Sequence, residues 1–353
     1  MLEKNKDTKG KLAWRCPSNI ALVKYWGKHG LQLPANPSLS FSLRAACTET
    51  EASFEWRNQQ EVSLDFIFEG KKNEAFAARI NQYIQSLPDR VPSLQGLHLT
   101  LSSKNSFPHS SGIASSASAF GALALILNDI HYQMNEKSIH SKEFLREASE
   151  MARMGSGSAS RSLYPGFAVW GKTEALDASS DQFAVQLKNN KVHDQFRHLK
   201  DAILIVSKGE KDVKSSTGHA LMQGHPFAGA RFKQAGENMK NMLRALETGD
   251  LESFMNIAET EAMSLHAMMM TSTPSCLLLK PESLRIMEKI RSFRKQNNIP
   301  VCFTIDAGPN IHVIYPEQVE SEVKDFIQND LLVYCEANKW IDDGMGKGPE
   351  KLK

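Results

Sequence analysis

Residues 106–120 read SFPHSSGIASSASAF, and six of those fifteen are serine, directly ahead of the apolar run GALALIL at 121–127. Small side chains let a backbone approach a ligand closely, and serine hydroxyls and free amides can bond phosphate oxygens. If the apolar run is a buried helix, its N-terminus adds the partial positive charge that favours an anion. The stretch therefore reads either as a phosphate cradle or as the serine-rich cap of a helix. No GKS or GKT follows, so it is not a Walker A loop.

Three further stretches carry reactive side chains. In PSNIALVKYWGKHG, at 17–30, Lys24, Tyr25 and Lys28 surround a Trp and a Gly. They offer two cations and a phenol to an anionic substrate, or else solvated lysines on an edge strand. In MGSGSASRS, at 154–162, Arg161 closes a run of small residues. It is either a two-pronged clamp for a carboxylate or phosphate, or a surface arginine beside a helix end. In TIDAGPN, at 304–310, an apolar strand delivers Asp306 to a Gly-Pro turn. That carboxylate is a base or orienting charge, or an ordinary turn residue.

The elements that must position these groups alternate between strand and helix. Val62, Leu64, Phe66 and Phe68 alternate with polar residues, as do Leu97, Leu99 and Leu101, which predicts two half-buried strands. Between them Phe76, Ile80, Ile84 and Leu87 recur at helical spacing. A second amphipathic helix is predicted over 142–154, with Phe144, Ala148 and Met151 on one face and Gly155 as its C-cap. From Thr173 to about Leu199 the periodicity is lost, which places a domain junction near residue 195 and divides the chain into 1–195 and 196–353. Beyond it come a strand at 202–207, helical stretches over 229–270 and 282–296, and strands VCFTI and IHVIY flanking DAGPN. Met268, Met269 and Met270 read as helix core. The terminal GMGKGPEKLK reads as a solvated flexible tail. The fold class is α+β, with two layered halves.

Composition bounds the partners. The 353 residues carry a formal charge of +2, without a global pull toward nucleic acid or an anionic membrane. Five scattered cysteines have no paired spacing, so neither a disulfide framework nor a zinc site is expected, and the eleven histidines form no ligand cluster. MLEKNKDTKGK has no apolar core of signal-peptide length after it, and the apolar run near 119–127 is too short to span a bilayer. A cytoplasmic protein is the expectation.

NIALVKYWGK, FPHSSGIASSASAFGALAL, GSGSASRSLYPGF, KDVKSST at 211–217 and DAGPN, in this order from about residue 14 to 316, together resemble the GHMP kinase superfamily, specifically its ATP-dependent diphosphomevalonate decarboxylase branch. The resemblance implies a two-domain fold, a ribosomal protein S5 domain 2-like N-terminal half and an α/β C-terminal GHMP half, with the active site in the cleft between them. It implies ATP and magnesium at the serine loop, with Ser110, Ser111, Gly112, Ala114, Ser115, Ser116 and Ser118 near the phosphates and Ser118 reaching the metal. The substrate diphosphate would meet Tyr25, Trp26, Gly27 and Lys28, the turn Ser156, Gly157, Ser158, Ala159, Ser160 and Arg161, and Ser216. Asp306 matches the family's catalytic aspartate, Arg161 its carboxylate-binding arginine, and Lys24 a lysine beside the aspartate.

The reaction implied is decarboxylation of (R)-5-diphosphomevalonate to isopentenyl diphosphate, with ADP, phosphate and carbon dioxide, by a homodimer. Departures from the family pattern are His29 after YWGK, His109, Ser110 and Ser111 for Thr-Ala-Ala, Ser160 for Cys, Pro165-Gly166 for Gly-Gly, and Lys214 within the serine pair. They leave open a phosphomevalonate decarboxylase. A mevalonate 3-kinase that stops at the phosphate ester, or a catalytically silent binding protein, fits less well with the set Lys24, Arg161 and Asp306.

Overall fold

Apolar residues on alternate positions extend the chain along β1 (Lys9–Val23), and the hairpin of β2 (Lys28–His29) and β3 (Leu33–Pro34) returns it along β4 (Ser38–Trp56). Next come β5 (Ser63–Phe68), β6 (Lys71–Lys72), α1 (Glu74–Gln85) and β7 (Leu97–Asn105). Helices α2 (Ser115–Met134) and α3 (Lys142–Gly155) lead into β8 (Phe167–Trp170) and β9 (Val185–Gln186). The second half holds β10 (Leu199–Leu204), α4 (Ser215–Ala220), α5 (Ala228–Thr248), α6 (Leu251–Met270) and α7 (Pro281–Asn297). It ends with β11 (Cys302–Thr304), β12 (Ile311–Pro316), α8 (Glu320–Phe326), β13 (Trp340–Gly344) and β14 (Glu350–Lys351). The computed structural model describes residues 8–57, 59, 61–87, 92–107, 113–207 and 215–353.

Two sheets carry the molecule. The first has eight strands, with β14, β1, β4, β7, β5 and β6 in spatial order and β8 and β9 branching from β4. Its pairs are antiparallel except β5 with β7, the parallel pair that α1 connects. The second sheet runs β11, β12, β10, β13. This is the mixed α+β architecture that the alternating patterns predict.

One face of the first sheet buries Leu12, Trp14, Leu99 and Leu101 against Ile84 of α1, Leu123 and Leu127 of α2 and Phe144 of α3. Past register shifts at Pro17/Asn19 and Ala21/Val23, the far end of β1 leaves that core. Ile20, Leu22 and Val23 instead join Leu199 and Ile203 of β10, Met239 and Met242 of α5 and Phe254 of α6. The two halves therefore share a core. Period-two alternation gives β10 a second apolar face, where Ala202 and Leu204 pack with Ile286 of α7 and Val323 of α8. Asp343 of β13 ties the sheets together by accepting the amides of Arg44, Ala45 and Ala46 of β4 at 2.7–2.8 Å.

Two expectations are corrected. Gly155 is the last residue of α3 and not a left-handed cap; a side chain there would place its Cβ 2.1 Å from the Phe120 ring, so close packing explains the glycine. The C-terminal residues are not a free tail. Glu350 and Lys351 pair with Arg15 and Trp14 of β1, and Lys351 reaches the buried Asp129 at 2.8 Å, which also accepts from the Trp14 indole at 2.8 Å. Of the three methionines, Met268 and Met269 are buried and Met270 is exposed.

Lys351→Met should therefore leave Asp129 without its cation and lower stability by about 1–3 kcal/mol, read from urea unfolding. An unchanged midpoint would mean that Trp14 and Gln133, whose amide donates to Asp129 at 2.9 Å, satisfy Asp129 unaided.

Candidate active site

β1 ends at Val23, and the next residue turns into a cavity of about 610 Å³ between the two halves. Lys24 is 1% exposed, and its Nζ donates to Asp306 Oδ1 at 2.7 Å. Asp306 stands just beyond β11, where Thr304 donates its hydroxyl to Ala21 O of β1 at 3.2 Å. Burial pushes the Lys24 ammonium below the ordinary lysine value, and the charge and hydrogen bond of Asp306 oppose that shift. Side chains fix the Lys24 backbone at both polar groups: its N–H donates to Glu261 at 2.8 Å and its C=O accepts from Asn36 at 3.0 Å. Glu261, wholly buried on α6, is in turn neutralised by Arg231 and accepts from Asn238 at 2.6 Å.

Arg161 is 2% exposed, yet among the described residues its guanidinium is held by the hydroxyls of Ser40, at 2.9 Å, and Ser38, not by a carboxylate. It sits over the Trp170 ring at 5.9 Å. Burial pushes its pKa down to about 10, against the opposing pull of Asp306 and Tyr25. A buried cation contacting neutral hydroxyls and lining a cavity is a receptor for an anion.

Tyr25, Trp26 and Lys28 continue the polar wall. The Tyr25 ring meets Trp170 at 4.7 Å and His219 at 4.3 Å; its hydroxyl is buried without a hydrogen-bond partner among the described residues. Burial raises that phenol well above its usual pKa, so it is a donor. Gly27 has φ +93°, which a side chain would strain, and its N–H donates to His219 Nδ1 at 3.1 Å. Lys28 donates to Gln32 at 2.9 Å.

The serine-rich stretch is described from Ile113 onward. Ala114 precedes α2 with φ +42°, a strained value for a residue with a side chain, and Ser18 holds the turn by donating to Ile113 O at 2.7 Å. Ala114, Ser115 and Ser116 line the cavity, and Ser116 lies 3.2 Å from Ser156 of the arginine turn. The two serine-rich stretches thus meet. A second arm of the cavity is apolar: Phe66, Phe68, Phe76 and Phe120 form its wall with Arg79, whose guanidinium lies 5.0 Å from the Phe120 centroid.

Lys24, Tyr25, Trp26, Lys28, Ala114, Ser115, Ser116, Ser156, Gly157, Ser158, Arg161 and Asp306, expected from sequence, all line this one cavity. Four others do not. Gly27 is not part of the lining and meets the site only through its N–H to His219. Ser118 is fully buried, sharing a 2.6 Å hydrogen bond with Thr48 and donating to Ser115 O, so its hydroxyl faces the sheet and cannot serve phosphate or metal here. Ala159 and Ser160 are fully buried too, and Ser160 donates to Gly157 O at 2.8 Å, which makes them supports of the turn. Ser110, Ser111 and Gly112 lie outside the described residues, and Ser216 is described only as backbone of α4. The sequence reading missed His219, Arg79 and Glu261. The one signal for the apolar arm was the phenylalanine alternation of β5, which reads equally as ordinary core.

Among the described residues no cluster of three His, Cys, Asp or Glu could by itself hold a metal. A cation at this site would be held by phosphate oxygens together with the Ser115 and Ser116 hydroxyls and Asp306, a hard-oxygen set that fits magnesium.

Residues 16–184 match the family described as diphosphomevalonate decarboxylase-like N-terminal domain, and 202–347 the mevalonate 5-diphosphate decarboxylase C-terminal domain. The chain is 31% identical to the diphosphomevalonate decarboxylase of Candida albicans over 87% of this chain and 84% of that one. It is 29% identical to that of Rattus norvegicus over 92% and 81%. Its fold is similar to mevalonate diphosphate decarboxylase from Staphylococcus aureus, with TM-score 0.82 and 29% identity over 98% of this chain and 99% of that one. It is equally similar, at TM-score 0.82 and 28% identity over 98% and 100%, to a structure described as MDDEF in complex with MVAPP, AMPPCP and magnesium.

Two buried histidines give the site a pH signature. Burial pushes His219 down to about 3 and His266, beside Lys24, down to about 4, from the ordinary 6.5. The unfolded chain therefore binds protons that the native protein does not. Their contribution to stability is present above about pH 6.5 and is lost as pH falls toward those lower values. Urea midpoints should drop between about pH 7.5 and about pH 5, and His266→Gln should shrink the drop. An undiminished drop would remove His266 from the effect.

Proposed function

The chain belongs to the diphosphomevalonate decarboxylase family, and we propose that Lys24, Asp306 and Arg161 are the groups with which it performs the family's reaction. The reaction is the ATP-dependent decarboxylation of (R)-5-diphosphomevalonate, giving isopentenyl diphosphate, ADP, phosphate and carbon dioxide. The observation that carries the assignment is the 2.7 Å ion pair between the buried Lys24 and the partly buried Asp306, in one cavity with a buried Arg161 whose charge meets no carboxylate at bonding distance among the described residues.

A tertiary hydroxyl leaves poorly, so it must first become a phosphate ester. Asp306 accepts the proton of the 3-hydroxyl as its oxygen attacks the γ-phosphorus of ATP and ADP departs. Lys24 keeps Asp306 an oriented carboxylate. The C3–O bond then breaks, phosphate taking the electron pair; the electrons of the C1–C2 bond form the C2–C3 double bond, and the carboxylate is released as carbon dioxide. Arg161 holds that carboxylate in line with the breaking bond. Amides of Ser115 and Ser116 at the start of α2 face the transferring phosphate. Magnesium bound to the nucleotide would neutralise charge on its phosphate oxygens.

The apolar arm, with Arg79, suits the nucleotide base. Tyr25, Trp26, Gly27, Lys28, Ser156, Gly157, Ser158 and Ser216 bind the substrate, and Ser110, Ser111, Gly112, Ala114, Ser115 and Ser116 the nucleotide phosphates. The division near residue 195 separates the two domains of a cytoplasmic homodimer. That last reading rests on the family resemblance; separately, no helix among the described residues is long and apolar enough to cross a membrane.

Incubation with ATP, magnesium and mevalonate 5-diphosphate should release carbon dioxide in step with ADP. ADP alone would mean a kinase. Asp306→Asn should lower turnover by roughly a thousandfold or more while leaving ATP affinity nearly intact; wild-type turnover would remove its role. Arg161→Lys keeps the charge but loses the planar fork, so kcat should fall roughly tenfold to a hundredfold. A silent Arg161→Lys would move the carboxylate site elsewhere.

A further inference from the structure

His219 sits in the wall of the cavity with no part in the chemistry above, yet its surroundings specify its state closely. Its ring packs at a tilt against both Tyr25, at 4.3 Å, and Trp26, at 4.7 Å, which restricts its plane. Gly218, next to it on α4, permits this approach, since a Cβ there would lie 2.6 Å from the Trp26 ring. Nδ1 accepts the Gly27 N–H at 3.1 Å. An imidazole that accepts at Nδ1 and carries one proton bears it on Nε2, so the ring is a fixed neutral donor.

Its place along the cavity follows from its neighbours. Lys24 and Asp306 are in contact, Arg161 acts electrostatically on both Lys24 and Tyr25, and the Tyr25 ring packs at a tilt against His219. Lys28 also acts electrostatically on His219 and is a half-buried cation whose ammonium, among the described residues, donates to the neutral Gln32. With the reacting carbon at Asp306 and the carboxylate at Arg161, the other end of the substrate reaches Tyr25, His219 and Lys28.

We propose that His219 is a specificity-determining residue whose Nε2–H donates to the terminal phosphate of the substrate's diphosphate. This rests on the decarboxylase reading and names which phosphate the far end of the cavity recognises. A neutral donor adds direction without adding charge. The cleft must admit two polyanions, nucleotide and substrate, and another cation at this end would attract either. Burial holds the imidazole uncharged down to about pH 3, so the contact stays neutral throughout the physiological range. The buried, unpartnered Tyr25 hydroxyl beside it supplies a second neutral donor.

His219→Asn keeps an acceptor near the Gly27 N–H and removes the distal donor; His219→Gln restores a donor at about the reach of Nε2. The KM for mevalonate 5-diphosphate should rise roughly tenfold to a hundredfold in His219→Asn, with kcat changed far less, and His219→Gln should recover most of the loss. The kcat/KM for mevalonate 5-phosphate should change little in either. Equal losses on both substrates, or His219→Gln as impaired as His219→Asn, would reduce His219 to a prop for the Tyr25–Lys28 turn and overturn the inference. Wild-type turnover of the diphosphate matched by His219→Asn would overturn it alone, whereas no carbon dioxide from either substrate with wild-type protein would overturn the decarboxylase reading as well. In wild-type protein, inorganic diphosphate should shift the His219 Nε2–H proton resonance more than inorganic phosphate does. An unmoved resonance would also sink the proposal, without recourse to a variant.

Discussion

A lysine ammonium 1% exposed to water must be given a countercharge, and for Lys24 that charge arrives from 282 residues away in the chain. The active cleft can exist only when the strand ending at Val23 and the turn after Thr304 are brought to one point. A buried ion pair is a weak source of stability, because desolvation offsets much of the attraction. What the pair supplies is position. Glu261 and Asn36 clamp the amide and carbonyl of Lys24, Arg231 neutralises Glu261 and Asn238 donates to it, so the direction of the lysine side chain is set by groups that never reach the cavity.

Arg161 uses the opposite arrangement. Ser38 and Ser40 are two apart on β4, so both hydroxyls point to the same face, and together they hold the guanidinium without neutralising it. One buried cation is thus matched to a carboxylate of the protein, and the other to hydroxyls alone among the described residues, which under the proposed function leaves its charge for the carboxylate of the ligand. Had Arg161 also found an acidic partner, the substrate would have had to displace it. Orientation by hydroxyls costs binding nothing of that kind, and the fixed charge is in place before the reaction begins.

Local chemistry was legible in the sequence, and partnership was not. The strand and helix periods and the reactive stretches around Lys24, Arg161 and Asp306 could be read because each is set by neighbours in the chain. Ser118 looked equivalent to Ser115 by type. One helical turn, at about 1.5 Å per residue, carries it away from the helix start and down onto Thr48. Gly155 looked like a cap because nothing in the sequence shows Phe120 lying across it. The last ten residues looked soluble and loose, yet the buried Asp129 and the edge of β1 create a place for Lys351. His219 escaped notice because a single histidine after a serine run carries no pattern; its meaning comes from Gly27, Tyr25 and Trp26, nearly two hundred residues earlier in the chain.

The same distinction explains how one cavity keeps two polyanions apart. Positive charge alone cannot sort a nucleotide triphosphate from a substrate diphosphate, since Lys24, Lys28 and Arg161 attract both. Sorting must come from what surrounds the charge. The arm walled by Phe66, Phe68, Phe76 and Phe120 rewards a flat apolar base, which only the nucleotide has. The opposite end offers Tyr25 and His219, oriented neutral donors packed against each other, which reward an oxygen-rich group in a defined place. In the reading proposed above each ligand is held by the end that it suits, and the two would meet at Ser115, Ser116 and Asp306, which line one cavity at the start of α2 and just beyond β11.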